Sequence, residues 1–323
     1  MMQTNYSENI GHQQLKLPDA VHSGDEVGII APASPIKTDF LLEGLQYLQR
    51  IGYKGVPSIN LGCRTHHVAG SSQARLDDFH QMFFNPDIKA VFAARGGYGS
   101  AHLLGKLDYS LLARNSKLLV GYSDITTLQL ALWHKIRMHS ISGPMVAVEM
   151  ARPNSINEPL FKNILSGTLP KVNELMSAYL DDGNISFLRR NNIVRGRLLG
   201  GTLSVISSMI GTPFLPDFKN AILIIEEHGE RIYRLDRYLT QLRLAGIFDR
   251  VSMIVIGKLI LPDQRENPLL PTFISNFFAD DSFPVVLNFR YGHCPQSFIF
   301  PQGVEIEFNL PDQQISVLKK WVV

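Results

Sequence analysis

A short apolar run, Leu118-Leu119-Val120, breaks into Gly121-Tyr122-Ser123-Asp124, and a helical pattern over residues 125–136 starts at once. This order of strand, tight turn and helix restricts the local fold more than any other stretch of the chain. It sets a serine at the carboxyl edge of a sheet and at the start of a helix. Backbone N–H groups there are unpaired, and the helix dipole favours negative charge. A serine nucleophile that builds up an oxyanion needs this geometry. A plain helix cap by Ser123 or Asp124 fits the same residues, so the stretch alone leaves both readings open.

The neighbouring segments supply the sheet. Residues 26–31 are almost continuously apolar and are stopped by Pro32, the pattern of a buried parallel strand. Phe40, Leu41, Leu45 and Leu48 recur at helical spacing before Gly52. Residues 55–61 suggest a second strand, and 74–84 a helix ended by Asn85-Pro86. Residues 90–94 form a third strand that runs into Arg95-Gly96-Gly97-Tyr98-Gly99-Ser100, with a helix starting near Ala101. Strands alternating with helices predict an α/β fold, an N-terminal parallel-sheet domain with helices on both faces. Ligands of such sheets bind beyond the carboxyl ends of the strands. Gly96, Gly97 and Ser123 all fall on that edge.

The pattern weakens over residues 152–192, where Pro153, Pro159, Pro170, Asp181-Asp182-Gly183 and Asn191-Asn192 mark turns. The expected organisation is a flexible tail (1–23), an α/β domain carrying the serine (24–175), a linker region (176–195) and a smaller β-rich C-terminal domain (196–323). Two domains suit a length of 323 residues. In the second half, 202–210 reads as a helix, and the strand 221–225 delivers Glu226-Glu227. Ile232, Leu235, Leu239 and Leu242 form one helical stripe ended by Gly246. Strands over 253–261 and 283–288 follow, the latter leading to Tyr291-Gly292-His293-Cys294. Residues 304–308 and 315–318 alternate as antiparallel strands do.

Charge excludes some partners. With 31 Lys+Arg against 29 Asp+Glu, the chain has no basic stripe for nucleic acid and no polybasic patch for a membrane surface. The polar N-terminus lacks the apolar core of a secretory signal, and no apolar run reaches transmembrane length. Two cysteines, Cys63 and Cys294, are too few for a disulfide scaffold. The expectation is a cytoplasmic protein that binds neither nucleic acid nor membrane.

An acyl-transfer serine needs a base, a group that orients the base, and oxyanion donors. Of the ten histidines, His228 and His293 are displayed on loops after strands, where catalytic side chains usually stand. The adjacent pair His66-His67 is a poor chelate, and no cysteine or carboxylate completes a metal spacing. Glu226 ends an apolar strand, and a charge there does not bury without a partner. A solvent-facing or helix-capping carboxylate is the plainer alternative. The turn Gly96-Gly97-Tyr98-Gly99 fails the dinucleotide spacing, because His102 stands at the third glycine position. It remains a phosphate cradle, an oxyanion donor or a tight turn with positive φ.

Six segments, in order and in register, resemble the LD-carboxypeptidases, serine peptidases of the S66 type. They are Gly28-Ile29-Ile30-Ala31-Pro32-Ala33-Ser34-Pro35, the 95–100 turn, Gly121-Tyr122-Ser123-Asp124, and Gly200-Gly201-Thr202-Leu203-Ser204. Ile225-Glu226-Glu227-His228-Gly229-Glu230 with Tyr233-Arg234-Leu235-Asp236-Arg237, and Gly292-His293 with Pro301 and Gly303, complete the set. The resemblance implies a triad of Ser123, Glu226 and His293, which demotes His228. It implies oxyanion donors among the backbone N–H groups of Gly96 or Gly97 and of Asp124. It also implies an enzyme without metal or cofactor, usually a homodimer, that removes the terminal D-alanine from murein tetrapeptides during cytoplasmic cell-wall recycling. A carboxypeptidase must hold its substrate's free carboxylate, most simply with an arginine; Arg95, Arg234 and Arg237 are the candidates. Two departures stand out. Ile125 replaces the last glycine of the Gly-x-Ser-x-Gly hydrolase turn. Thr202 replaces an asparagine common in the family, a change expected to be minor. The rival readings are a microcin C-type immunity peptidase of the same family, a non-catalytic protein binding a phosphorylated ligand at the 96–97 turn, and, weaker still, a cysteine hydrolase using Cys294.

Overall fold

The computed structural model describes residues 17–152, 154–168, 186–188 and 193–323. The first half holds five parallel strands, β1 (Glu26–Ile30), β2 (Lys54–Pro57), β3 (Ile88–Ala93), β4 (Leu118–Gly121) and β5 (Ile141–Ser142). Helices α1 (Thr38–Arg50), α2 (Ser72–Phe84), α3 (Tyr109–Arg114), α4 (Thr126–Ile136) and α5 (Glu158–Leu165) connect and follow them. The apolar runs behave as continuous patterns should: all four residues of β4 are buried, as both faces of a parallel sheet require. Two differences from the sequence reading have local causes. The segment after the 95–100 turn is only a 3₁₀ turn, Ser100–Leu103. And Pro159, a turn marker in the sequence, instead opens α5, where a missing N–H costs nothing, while the Asn157 side chain caps it.

The second half adds β6 (Ser186–Leu188), β7 (Ile193–Thr202), α6 (Leu203–Met209), β8 (Ala221–His228), α7 (Ile232–Leu244), β9 (Met253–Ile260), α8 (Leu270–Phe277), β10 (Val285–Leu287), β11 (Phe300–Pro301), β12 (Glu305–Asn309) and β13 (Gln314–Val317). Its sheet runs β13-β12-β7-β8-β9-β10-β6. Strands β7 to β10 are parallel, and β12, β13 and β6 are antiparallel additions at the edges. The mixed character was legible in the alternating tail; the four-stranded parallel centre makes this half α/β as well. The first sheet, β11-β5-β4-β3-β1-β2, is not closed within the first half. Its edge strand β11 comes from near the C-terminus and pairs antiparallel with β5, Phe300 opposite Ser142.

Most of the expected linker lies outside the described residues, although β6 within it pairs with β10. The expected flexible tail needs correction at its end. Val21 is fully buried, its N–H bonds Leu165 O at 2.9 Å, and Ala20 N–H bonds Val323 O at 2.9 Å. A single bulky apolar side chain between Ala20 and His22 gave no periodic signal, yet it is buried in the core.

Side-chain bonds fasten the halves together at the sheet edges that carry the site. Gln302, fully buried, donates to Gly200 O at 2.6 Å and accepts from Gly200 N at 3.1 Å, and its own N–H bonds Ser140 O at 2.7 Å. Gly201 has φ +146°, and a Cβ there would collide with the Thr126 side chain at the start of α4. Only glycine permits this approach of β7 to α4. Apolar residues of both halves, among them Phe79, Leu128, Leu199, Leu223 and Leu235, share one buried cluster.

Candidate active site

The nucleophile candidate stands on a strained turn. Strand β4 is followed by Tyr122, extended at φ −155°, and Ser123 then adopts φ +62°. A left-handed conformation at a residue other than glycine costs of order 1 kcal/mol or more and persists only where surroundings enforce it. Here it lifts the serine out of the strand line at the sheet edge, as a nucleophile elbow does. Residues 123–125 form a 3₁₀ turn before α4, whose N-cap is Ile125 without a side-chain cap bond. The helix-cap reading of Ser123 and Asp124 therefore does not hold for α4. The Asp124 carboxylate instead accepts Ser100 N–H at 2.9 Å, from the glycine-rich turn.

That turn lies against the serine. An ideal Cβ on Gly96 would sit 2.9 Å from Ser123 Cβ, 3.1 Å from its Oγ and 3.3 Å from Asp124 N. The missing side chain leaves the space beside the hydroxyl open. Gly97 adopts φ +111°, and Ser34 pins the turn: its N–H bonds Gly96 O at 3.3 Å, and its Oγ accepts Tyr98 N–H at 3.1 Å.

Glu226 and His293 meet from two later strands. Glu226 ends the apolar run of β8 and has no exposed surface. Burial of a carboxylate requires partners, and it has two. The Thr202 hydroxyl donates to Oε1 from the paired position on β7, and His293 Nδ1 lies 2.7 Å from Oε2. Thr202, a departure with little expected consequence, thus bonds the buried acid directly. Gly292, at φ +111°, lets the backbone pass over this carboxylate; a Cβ would come within 2.7 Å of Glu226 Cβ and Cγ. Since the carboxylate can only accept, Nδ1 carries the proton and Nε2 is left as the basic nitrogen. The rings of Tyr122 and His228 flank His293, each with its centroid 4.9 Å away. Burial lowers the His293 pKa, but the Glu226 hydrogen bond and the charges of Glu226, Glu149 and Glu227 outweigh it, and the net shift is upward.

Ser123 and His293 line one cleft of about 610 Å³, together with Arg95, Gly96, Gly97, Asp124, Thr202 and His228. Of the three arginines singled out, only Arg95 faces it. Arg234 on α7 pairs at 3.2 Å with Glu230, which does line the cleft, and Arg237 lies over the Tyr233 ring; neither arginine is itself a lining residue. Arg152, missed in the sequence because it falls among turn signals, lines the cleft and is exposed. Two further carboxyls were also missed. Glu227 is raised by burial to about 7 while accepting Ser204 N–H at 2.7 Å. Glu149 is raised by burial and accepts the Tyr122 hydroxyl at 2.6 Å. Glu227 follows the buried-acid candidate Glu226 directly at the end of the apolar run of β8, where a solvent-facing strand end is the plain reading, and Glu149 has no periodic context at all. Cys294 also lines the cleft and forms no disulfide. Among the described residues no cluster of three or more His, Cys, Asp or Glu could hold a metal ion, and no helix is long and apolar enough to cross a membrane.

Comparison with known proteins finds matches over both halves of the chain. Residues 27–143 match the LD-carboxypeptidase N-terminal domain and residues 195–308 the LD-carboxypeptidase C-terminal domain. The chain is 30% identical to a probable murein peptide carboxypeptidase of Bacillus subtilis, over 92% of each. The microcin C7 self-immunity protein MccF of Escherichia coli is 26% identical over 96% of this chain and 97% of its own. A solved MccF structure superposes with a TM-score of 0.85 at 25% identity, covering 95% of this chain and 99% of that one. The muramoyltetrapeptide carboxypeptidase of Oxalobacter formigenes superposes with a TM-score of 0.76 at 28% identity, covering 90% and 97%. With both domain models matched in order along one chain, this protein belongs to the LD-carboxypeptidase family.

Proposed function

We propose that the protein is a serine carboxypeptidase that releases the terminal D-alanine of murein tetrapeptide through an acyl-enzyme, with Ser123 as nucleophile, His293 as base and Glu226 as its orienting acid. The observation that carries this reading is the fully buried Glu226 holding His293 Nδ1 at 2.7 Å, in the cleft that Ser123 lines. Ser123 Oγ attacks the scissile carbonyl and gives its proton to His293 Nε2. The oxyanion faces the backbone N–H groups of Gly96 or Gly97 and of Asp124. His293 returns the proton to the departing amine of D-alanine, and water then hydrolyses the ester. Arg95 or Arg152 receives the substrate's terminal carboxylate. In this reading the enzyme works in the cytoplasm as a homodimer. Incubation of purified protein with the tetrapeptide should release D-alanine, and Ser123→Ala should abolish release; no release by the wild type, or an active S123A, refutes the assignment.

A peptidyl-nucleotide substrate of the microcin C type is the second reading. Its support is the higher TM-score with MccF than with the muramoyltetrapeptide enzyme, 0.85 against 0.76. Protection of cells from the antibiotic, with no activity on tetrapeptide, would put it first.

A further inference from the structure

We infer that Asp124 is a positioning residue whose carboxylate, through Ser100, sets the spacing between the two halves of the oxyanion site. This rests on the reading of Ser123 as the nucleophile. The two sets of donors belong to different loops. Asp124 N follows β4, whereas Gly96 and Gly97 follow β3, and among the described residues no backbone bond joins the loops at the serine. The join is made by side chains. Asp124 is buried, and its Oδ2 accepts Ser100 N–H at 2.9 Å. In return the Ser100 hydroxyl, with no exposure, donates to Asp124 O at 2.7 Å. Residue 124 therefore grips the end of the glycine turn by its side chain and its carbonyl, while its own N–H is the proposed donor.

The far side of the turn is braced as well. Arg75, 2% exposed, donates through Nη1 to Pro32 O at 2.7 Å and to Gly99 O at 2.8 Å. Gly99 has φ +110°, so the chain reverses there, directly before Ser100. The Asp124 charge is felt by Arg75, so the brace and the grip also attract each other. The turn is thus held on one side by Arg75 of α2 and Ser34 of the loop after β1, and on the other by Asp124 of the nucleophile elbow. Loss of the Asp124 contact frees only the second hold, and the donors then drift relative to Ser123 while the fold remains braced.

The test uses a substrate-independent readout, phosphonylation of Ser123 by a fluorophosphonate followed by intact mass. In that reaction the Oγ–P bond forms, fluoride leaves, the serine proton passes to His293, and the phosphoryl oxygen occupies the oxyanion position. Asp124→Ala should slow labelling roughly 10- to 100-fold, as expected for displaced donors, and lower kcat on tetrapeptide in parallel with little change in KM. Asp124→Asn keeps an acceptor for Ser100 N–H and should restore most of the rate. Ser100→Ala, which removes only the hydroxyl bond, should slow labelling by a factor of about 3 to 10 and remains informative if D124A does not fold. Full labelling rates in folded D124A or S100A, or equal losses in D124A and D124N, overturn the inference. A wild type that does not label overturns the nucleophile assignment together with it, whereas a wild type that labels but releases no D-alanine overturns only the substrate.

Discussion

Glu226→Gln changes hydrogen-bond polarity at the site and almost nothing else. The side chain keeps its volume, so packing around a position with no exposure is preserved. In the native site both oxygens accept, Oε1 from the Thr202 hydroxyl and Oε2 from His293 Nδ1 at 2.7 Å. Glutamine offers one acceptor and one donor. With its amide NH₂ toward His293, Nδ1 must accept, the ring proton moves to Nε2, and the imidazole can no longer take the Ser123 proton. That wrong tautomer costs roughly 10⁴-fold in kcat, or about 5.5 kcal/mol of barrier. With the NH₂ toward Thr202, His293 keeps its orientation but loses the negative charge that stabilises the imidazolium, a loss of about 10- to 100-fold. The expected kcat therefore falls by about 10 to 10⁴, with a much smaller change in KM. A second readout is independent of magnitude. Burial alone would lower the His293 pKa, and the Glu226 hydrogen bond and charge lead the contributions that raise it. In E226Q the acidic limb of the kcat/KM profile should move to lower pH than in the wild type. D-alanine release measured across the neutral range, with an NMR titration of His293, gives both numbers. Activity within about tenfold of wild type and an unmoved acidic limb would refute the assignment of the pair.

Three further outcomes are expected. Gly96→Ala places a Cβ 2.9 Å from Ser123 Cβ, 3.1 Å from its Oγ and 3.3 Å from Asp124 N, so kcat should fall roughly 10²- to 10³-fold and the melting temperature should drop as the turn shifts; steady-state kinetics and thermal unfolding on one preparation check it. Thr202→Val leaves Glu226 Oε1 without its donor and should cost about 1–3 kcal/mol of stability, read by denaturant unfolding, together with a loss of kcat. Glu227 has its pKa raised by burial to about 7 from 4.5, so the native state binds more protons than the unfolded chain between those values and stability declines as pH rises through that window. His293, also raised, adds a decline that begins above its ordinary value and runs through its folded one. Burial lowers His80, His134, His139 and His228, which act in the opposite sense up to their ordinary value, so the Glu227 slope is read from the wild-type minus Glu227→Gln difference in melting temperature against pH.

How far the sequence could be read depended on the range of the interactions involved. Strands β1, β3, β4 and β8 announce themselves because a strand buried on both faces needs no periodicity, only continuity. Their ends, where Gly96, Ser123 and Glu226 stand, follow from the same runs. Partners across the sheets did not. Thr202 reaches Glu226 only because β7 and β8 are parallel in that register, and Arg152 enters the cleft from a stretch whose prolines read as turns. The bond from Asp124 to Ser100 spans two loops, so the short-range helix-cap reading was the only one visible in the chain. Helix α8 was missed because Pro271 sits in its first turn, where proline is tolerated rather than disruptive.

The edge strand β11 bears on how the protein is made. His293 and Phe300 are separated by one short loop, and Phe300 completes the sheet that carries Ser123. The proposed base and this seam are therefore synthesised together, after Ser123 and Glu226. A truncated or still-growing polypeptide has Ser123 and Glu226 but neither the histidine nor the strand that completes the nucleophile's sheet. On the proposed triad, a product that stops before residue 293 carries a serine without its base.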